Sequence, residues 1–198
     1  ISCELIEIRF DLIPEALNSV DTLNSTLSHI RSLFPTHALM GTIRLERDGG
    51  KWPVEASKDR IKFFQAMIRT GELDWIDIEL EEIALMELHP ECLEHNTQIL
   101  CSHHNFKPSY HAEELTALTQ EIQFSGANAA KFALTFRDAG DAQELYRFLH
   151  ERTDHYVFAA FSMGDLGRES RLLAPLLGAS GTYGYTGDTA AAPGQITT

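Results

Sequence analysis

One lysine stands out because the segment around it is otherwise free of charge. Lys131 lies in the run from Gly126 to Leu134, whose sequence is GANAAKFAL. Lysine is among the residues that proteins bury least often. Desolvation disfavours the ammonium form, so a buried lysine amine can attack carbonyl groups as a nucleophile. The alternative is a lysine on an edge strand whose ammonium group extends to solvent.

Charged residues alternate with apolar ones in three other segments. Within each segment the charged residues share one parity: Glu7, Arg9 and Asp11 in the first, Arg44 in the second, and Asp77 and Glu79 in the third. Successive side chains of a strand point to opposite faces, so one face of each predicted strand is charged. Unpaired charges are costly to bury. We therefore expect these charges to pair with each other or with a ligand.

Two adjacent histidines, His103 and His104, follow the predicted strand 98–102. Adjacent strand residues point to opposite faces, which disfavours a metal site built from both histidines. One of them could act as a general acid or base near neutral pH. The alternative is a histidine with a purely structural role, whose ring nitrogens form hydrogen bonds in the core or at the surface. Three scattered cysteines without C-x-x-C spacing predict neither a disulfide framework nor a zinc site.

Strand-like segments alternate with helical patterns along the chain. The predicted strands are residues 5–10, 39–45, 75–80, 98–102, 129–134, 156–161 and 181–185. The predicted helices cover 20–33, 61–68, 115–122 (with Ser109 as N-cap), 145–149 and 168–178. This alternation predicts parallel strands and fits both a doubly wound sheet and a barrel. The charged strand faces favour a barrel, because charges are tolerated near the mouth of its interior.

Length and charge limit the classes of function. The 198 residues, with 43% hydrophobic content, predict one compact domain over residues 1–198. A net charge of −13 argues against nucleic acid or an anionic membrane as a partner. No segment has the roughly 20 apolar residues of a membrane span, and none has the pattern of a signal peptide. The expected location is therefore the cytoplasm.

A series of motifs, in this order, resembles the type I 3-dehydroquinate dehydratase family. The motifs are Glu7-x-Arg9-x-Asp11, Arg44 with Asp48-Gly49-Gly50, Asp77-x-Glu79, Ser102-His103-His104-Asn105-Phe106, GANAA-Lys131, Ser162-Met163-Gly164, Ser170-Arg171 and Ala192-Pro193-Gly194-Gln195. The resemblance covers essentially the whole chain. It implies a (β/α)₈ TIM barrel whose first β/α unit and last helix are absent from this chain. It also implies a homodimer that needs no metal or organic cofactor.

The resemblance further implies a lyase that dehydrates the small molecule 3-dehydroquinate to 3-dehydroshikimate, in the shikimate pathway of aromatic amino acid biosynthesis. By position, Lys131 resembles the lysine that forms an imine (Schiff base) with the substrate ketone. His104 resembles the base that removes the neighbouring carbon-bound proton and, as an acid, helps water to leave. Asp48 stands where the family has a glutamate that orients this histidine.

The resemblance also implies which residues bind substrate. Glu7, Arg9 and Arg44 resemble residues that bind near the ring hydroxyls. Arg171 resembles the residue that binds the substrate carboxylate. A guanidinium suits this role because it can form bidentate hydrogen bonds with a carboxylate. Gln195 resembles a residue of the closing loop that hydrogen-bonds the substrate.

Three further positions depart from the family pattern. Ala191 replaces a serine, Asn105 an aspartate and Tyr183 a phenylalanine. Such departures leave two alternatives open. One is a sensor domain that binds dehydroquinate or quinate with weak turnover or none. The other is a class I aldolase-like barrel, since those enzymes also use a lysine imine on a strand.

Overall fold

Strands and helices alternate along the chain in the computed structural model. The structure describes residues 3–80, 84–106, 110–185 and 194–197. The strands are β1 (Leu5–Arg9), β2 (Ala38–Thr42), β3 (Trp75–Glu79), β4 (Gln98–His104), β5 (Ala129–Thr135), β6 (Val157–Met163), β7 (Gly184–Tyr185) and β8 (Ile196–Thr197). The α-helices are α1 (Val20–Leu33), α2 (Ser57–Arg69), α3 (Ala84–Glu94), α4 (Ala112–Phe124), α5 (Ala139–His150) and α6 (Ser170–Leu177).

The chain forms two compact units, Ile1–Leu100 and Cys101–Thr198. In the first unit β1 pairs in parallel with β2, and β2 pairs in parallel with β3. Helices α1, α2 and α3 pack in sequence order within that unit. The single-domain prediction for residues 1–198 stays a prediction.

The second unit also combines parallel strands with helices that pack in sequence order. Strand β5 pairs in parallel with β6, and α4, α5 and α6 pack in sequence order. A separate two-stranded parallel sheet joins β7 to β8. Among the residues that the structure describes, no helix is both long enough and apolar enough to cross a bilayer.

Local sequence explains where the helices begin. Helix α1 begins after Ser19, whose hydroxyl accepts a hydrogen bond from the Thr22 amide. Its buried residues Leu23 and Leu27 lie one turn apart, as an amphipathic helix requires. Helix α5 begins after Asp138, whose carboxylate accepts from the Gly140 amide at 2.8 Å. Both helices therefore start where side-chain oxygens satisfy free backbone amides.

The predicted start of α4 is wrong. The helix begins at Ala112 with His111 as its N-cap, and Ser109 lies outside the described residues. The Glu114 carboxylate accepts from the His111 amide at 2.7 Å, which is the reciprocal half of a capping box. The acidic residue in the first turn therefore sets this start.

Three other elements differ from the prediction. Strand β2 ends at Thr42, so Arg44 lies beyond the strand. Helix α3 had no predicted counterpart, and it contains Pro90, a residue that ordinarily argues against a helix interior. Within the described residues, the strand predicted at 181–185 covers only Gly184–Tyr185, which pairs with β8.

Candidate active site

The charges on the predicted strand faces of the first unit pair with one another. Arg44, which is 2% exposed, lies 2.7 Å from Asp77 Oδ2 and 2.9 Å from Glu79 Oε1. The expectation that these charges pair is confirmed. Burial alone would lower the pKa of Arg44, but attraction from Asp77, Glu79 and Glu7 outweighs burial and raises it. Arg44 is therefore a guanidinium held in place by ion pairs just beyond the end of β2.

Arg60 belongs to the same network, and sequence analysis missed it. This residue of α2 is fully buried, and its guanidinium donates to Glu79 Oε2 at 2.7 Å and to the Ile43 carbonyl at 2.8 Å. A signal was present in the sequence, because position 60 falls on the same helix face as Phe64, which lies beneath the guanidinium at 5.6 Å. A charge on the apolar face of a helix indicates a buried ionic partner.

A second ionic group ties β1 to the segment after β2. Arg9 donates to both oxygens of Asp11 at 2.8 and 2.7 Å. Asp11 also accepts from the backbone amides of Arg44 and Lys51, each at 3.1 Å. Glu7 accepts from the Thr42 hydroxyl at 2.7 Å. Three of the predicted site residues, Glu7, Arg9 and Arg44, are therefore held by neighbours within the first unit.

Asp48 lies in a tight turn after β2. The turn needs glycine twice: Gly49 has a φ of 80°, and a Cβ at Gly50 would meet the Arg44 carbonyl oxygen at 2.0 Å. Asp48 Oδ2 accepts from Arg47 Nε at 3.2 Å. Burial and then repulsion from Glu79 raise the pKa of Asp48, and attraction from Arg47 and Arg44 offsets only part of this rise.

Asp48→Asn should raise the free energy of unfolding at neutral pH. A carboxyl whose pKa is raised by folding stabilises the native state most when it is protonated, and that stabilisation is lost as pH rises through the raised pKa. The gain from Asp48→Asn, measured by urea unfolding, should therefore be larger at about pH 7 than at about pH 4. Asp59→Asn, at an exposed position of α2, is the control. An equal effect of Asp48→Asn at both pH values would contradict this expectation.

Lys131 is buried in β5 of the second unit. The residue is 5% exposed, and its Nζ atom lies 4.4 Å from the centroid of the Tyr183 ring. The alternative of an ammonium group extended to solvent is therefore wrong. The β5–β6 register slips at Lys131, because Ala130 pairs with Val157 while Lys131 pairs with Ala159. Such a bulge re-aims side chains, and bulges are frequent beside active sites.

The two histidines have different surroundings at the end of β4. His103 is buried, and its Nε2 atom lies 2.8 Å from the Tyr110 hydroxyl. The two rings also meet edge to face. His104 is half-buried and is the last residue of the strand. The geometry of His103 is that of a structural contact, which is consistent with the choice of His104 as the candidate acid and base.

Arg171 is buried at the start of α6. It is 1% exposed, and its guanidinium carbon lies 3.9 Å from the centroid of the Phe161 ring. Burial lowers the pKa of Arg171 to about 10. Ser170 fixes the start of this helix, because its Oγ atom accepts from the Ser162 amide of β6 at 2.9 Å. The Ser162 and Ser170-Arg171 motifs therefore meet in space.

Gln195 lies in a segment that packs against the turn after β6. Gly194 has a φ of 76°, and a Cβ there would meet the Gly164 carbonyl oxygen at 2.6 Å. Gln195 itself is half-buried and directly precedes β8. The preceding residues Ala191, Ala192 and Pro193 lie outside the described residues. Close packing thus joins two of the sequence motifs, and it requires glycine at position 194.

Comparison with known families gives the same assignment as the motifs. The family model for type I 3-dehydroquinase matches residues 1–198. The chain belongs to this family. Among curated relatives named 3-dehydroquinate dehydratase, one from Syntrophotalea carbinolica is 31% identical over 199 residues, covering 98% of this chain and 77% of that protein. One from Enterococcus faecalis is 28% identical over 201 residues, covering 99% of this chain and 78% of that protein.

Solved structures of type I 3-dehydroquinases and related dehydratases share the fold. The crystal structure of the Clostridium difficile type I 3-dehydroquinate dehydratase, with covalently modified comenic acid, has a TM-score of 0.89 at 24% identity and covers 100% of this chain and 78% of that one. The 3-dehydroquinate dehydratase from Geobacillus kaustophilus has a TM-score of 0.89 at 27% identity, covering 98% of this chain and 76% of that one. The predicted (β/α) barrel class is therefore confirmed.

In this type I 3-dehydroquinase the predicted site residues divide between the two units. The first unit holds the binding candidates Glu7, Arg9 and Arg44, together with Asp48. The second unit holds Lys131, His104, Arg171 and Gln195. Within the second unit, aromatic rings lie against both the Lys131 amine and the Arg171 guanidinium.

Proposed function

We propose that this chain dehydrates 3-dehydroquinate to 3-dehydroshikimate through an imine at Lys131. The observation that carries the proposal is the burial of Lys131 in a chain of the type I 3-dehydroquinase family. A primary amine in a site that excludes bulk water can form an imine with a bound ketone, which is the role proposed for Lys131. The relatives named 3-dehydroquinate dehydratase supply the substrate.

The proposed reaction begins at the Lys131 amine. Its lone pair attacks the ketone carbon, and the carbinolamine then loses the former ketone oxygen as water to give an iminium ion. Removal of a proton from the neighbouring carbon sends that electron pair towards the iminium nitrogen, which gives an enamine. The enamine expels the hydroxyl group of the next carbon as water. Hydrolysis of the conjugated iminium releases the enone product and the amine, so one water is lost overall.

His104 is the proposed proton carrier in these steps. An imidazole titrates near neutral pH, so the same ring can accept the carbon-bound proton and donate one to the departing hydroxyl. His104 is the candidate because its position matches that of the family histidine, and the His103 Nε2 atom contacts the Tyr110 hydroxyl. Asp48 is proposed to orient His104, as the family glutamate does, through a side chain that is one methylene shorter.

The remaining roles concern binding. Arg171 is proposed to bind the substrate carboxylate, because a buried guanidinium can donate two parallel hydrogen bonds to it. Glu7, Arg9 and Arg44 are proposed to bind near the ring hydroxyls, in keeping with the family resemblance. Gln195 is proposed to hydrogen-bond the bound substrate from the closing segment.

Borohydride trapping tests the proposal directly. The chain is incubated with 3-dehydroquinate and borohydride, and its peptides are then analysed by mass spectrometry. We expect a reduced adduct on the peptide that contains Lys131, and a rise in the ultraviolet absorbance of the enone in the absence of borohydride. An adduct without enone would favour the sensor alternative. The absence of both would contradict the proposal.

Arg171→Met should weaken binding without destabilising the fold. Burial lowers the pKa of Arg171, and this cost opposes the attraction of the guanidinium to the Phe161 ring, so an apolar side chain of similar length should change the free energy of unfolding little. Loss of the charge-assisted hydrogen bonds to the substrate carboxylate should lower kcat/KM by an amount that corresponds to roughly 2–5 kcal/mol of activation free energy. Steady-state kinetics and urea unfolding measure the two quantities. A variant that loses both stability and activity would point to a structural role instead.

The homodimer is a proposal that rests on the family resemblance, and the cytoplasmic location is a proposal that rests on the sequence. Sedimentation velocity of the purified chain tests the first, since a homodimer should sediment at twice the chain mass of 22.2 kDa. Sedimentation at the mass of one chain would contradict it. Fractionation of the source cells tests the second.

A further inference from the structure

Three aromatic side chains form a connected wall in the second unit. The wall consists of Phe158, Phe161 and Tyr183. The Tyr183 ring meets each phenylalanine ring edge to face, with centroids 6.0 Å apart in both cases. These contacts fix the position of the Tyr183 ring.

A cationic side chain lies over each end of this wall. Lys131 Nζ is 4.4 Å from the Tyr183 centroid, and the Arg171 guanidinium carbon is 3.9 Å from the Phe161 centroid. Both distances fall within the range of about 6 Å in which the negative face of an aromatic ring attracts a cation. Lys131 and Arg171 are both buried, and desolvation strengthens the attraction of a ring face for a positive charge.

The β5–β6 bulge contributes to this arrangement. Phe158 is the residue of β6 that the register skips between Val157 and Ala159. It packs against Tyr183, whose ring in turn faces Lys131. The register irregularity beside Lys131 therefore also involves Phe158, one of the two rings that contact Tyr183.

We propose that the Tyr183 ring face stabilises the cationic iminium formed at Lys131, while Phe161 holds Arg171 as the carboxylate-binding cation. This inference rests on the proposed function. Imine formation joins Nζ to the ketone carbon with loss of water, and the positive charge then resides on that nitrogen. A ring face stabilises this charge as it forms.

Replacement of Tyr183 by phenylalanine and then by phenylalanines that carry an increasing number of ring fluorines tests the proposal. Fluorine withdraws electron density from the ring face but changes the shape of the side chain little, so folding should be retained. Tyr183→Phe, which removes only the hydroxyl, is the reference. With 3-dehydroquinate, kcat and the borohydride-trapped fraction at saturation should fall with each added fluorine. Tyr183→Leu should lower both by roughly three- to thirty-fold, with a smaller change in KM.

A matched variant separates the two ends of the wall. Phe161→Leu removes the ring beneath Arg171 and should raise KM more than it lowers the trapped fraction at saturation, because Phe158 still contacts the Tyr183 ring. A trapped fraction that is flat across the fluorinated series would overturn the role of Tyr183. So would a Tyr183→Phe variant as impaired as Tyr183→Leu, because the hydroxyl would then be the active group. No adduct in the unmodified chain would instead overturn the proposed function itself.

Discussion

Lys131→Met is expected to lower kcat by roughly 10⁴-fold or more, the scale of loss when a covalent nucleophile is removed. Without the amine no iminium can form, so the neighbouring carbon-bound proton is not acidified. The free energy of unfolding should change little, because methionine fills a volume similar to that of the buried lysine side chain. Enone absorbance measures the rate, and urea unfolding measures the stability.

An exposed lysine provides the matched control for this change. Lys62, on α2, is 74% exposed and pairs with Asp59 on the same helix. Lys62→Met should leave kcat within about twofold and should not reduce the yield of borohydride adduct. An ion pair at the surface contributes little to stability, so its loss should leave the fold intact. If Lys131→Met retained full turnover, the imine mechanism would be wrong. If both variants lost activity equally, the loss would not be specific to the buried amine.

Arg60→Leu is expected to lower the free energy of unfolding by about 3–5 kcal/mol. The change removes the partner of Glu79 Oε2 and the donor to the Ile43 carbonyl, and it leaves excess negative charge in a buried network. An uncompensated buried charge costs far more than a lost surface pair. Urea unfolding of the purified chain measures the effect. A loss below about 1 kcal/mol would show that Glu79 finds compensation elsewhere.

Two further variants show whether charge balance is the cause. Arg69→Leu lies on the same helix, where Arg69 is 60% exposed and pairs with Glu91, so it should cost less than about 1 kcal/mol. Arg60→Leu combined with Glu79→Gln should cost less than Arg60→Leu alone, because the remaining Arg44–Asp77 pair is balanced. A double variant that is no better than the single one would mean that lost packing, rather than charge, destabilises the protein.

Much of the candidate site could be predicted because charged residues stand out within segments that are otherwise apolar. One lysine in an apolar run, and charges of one parity in each strand, are visible without any knowledge of long-range contacts. The structure buries Lys131 and pairs Arg44 with Asp77 and Glu79, as these patterns predict. The chemical roles of these residues remain proposals, since they depend on a substrate.

Short-range patterns were less informative about where elements end. The predicted second strand ran to residue 45, but β2 ends at Thr42 because the turn at Asp48-Gly49-Gly50 folds back on Arg44. Helix α3 was not predicted, since Pro90 is a poor helix former yet lies inside it. Elements of this kind are decided by packing, which outweighs local propensity.

The sequence by itself determined the family, the β/α alternation and the identity of Lys131 as the unusual lysine, because each depends on residue types in a fixed order. Only the tertiary structure decided what surrounds that lysine. The bulge between β5 and β6, the Tyr183 ring 4.4 Å from Nζ and the buried Arg60 behind Glu79 all join residues far apart in sequence. Local patterns cannot specify such contacts, because they form only when separate elements pack together.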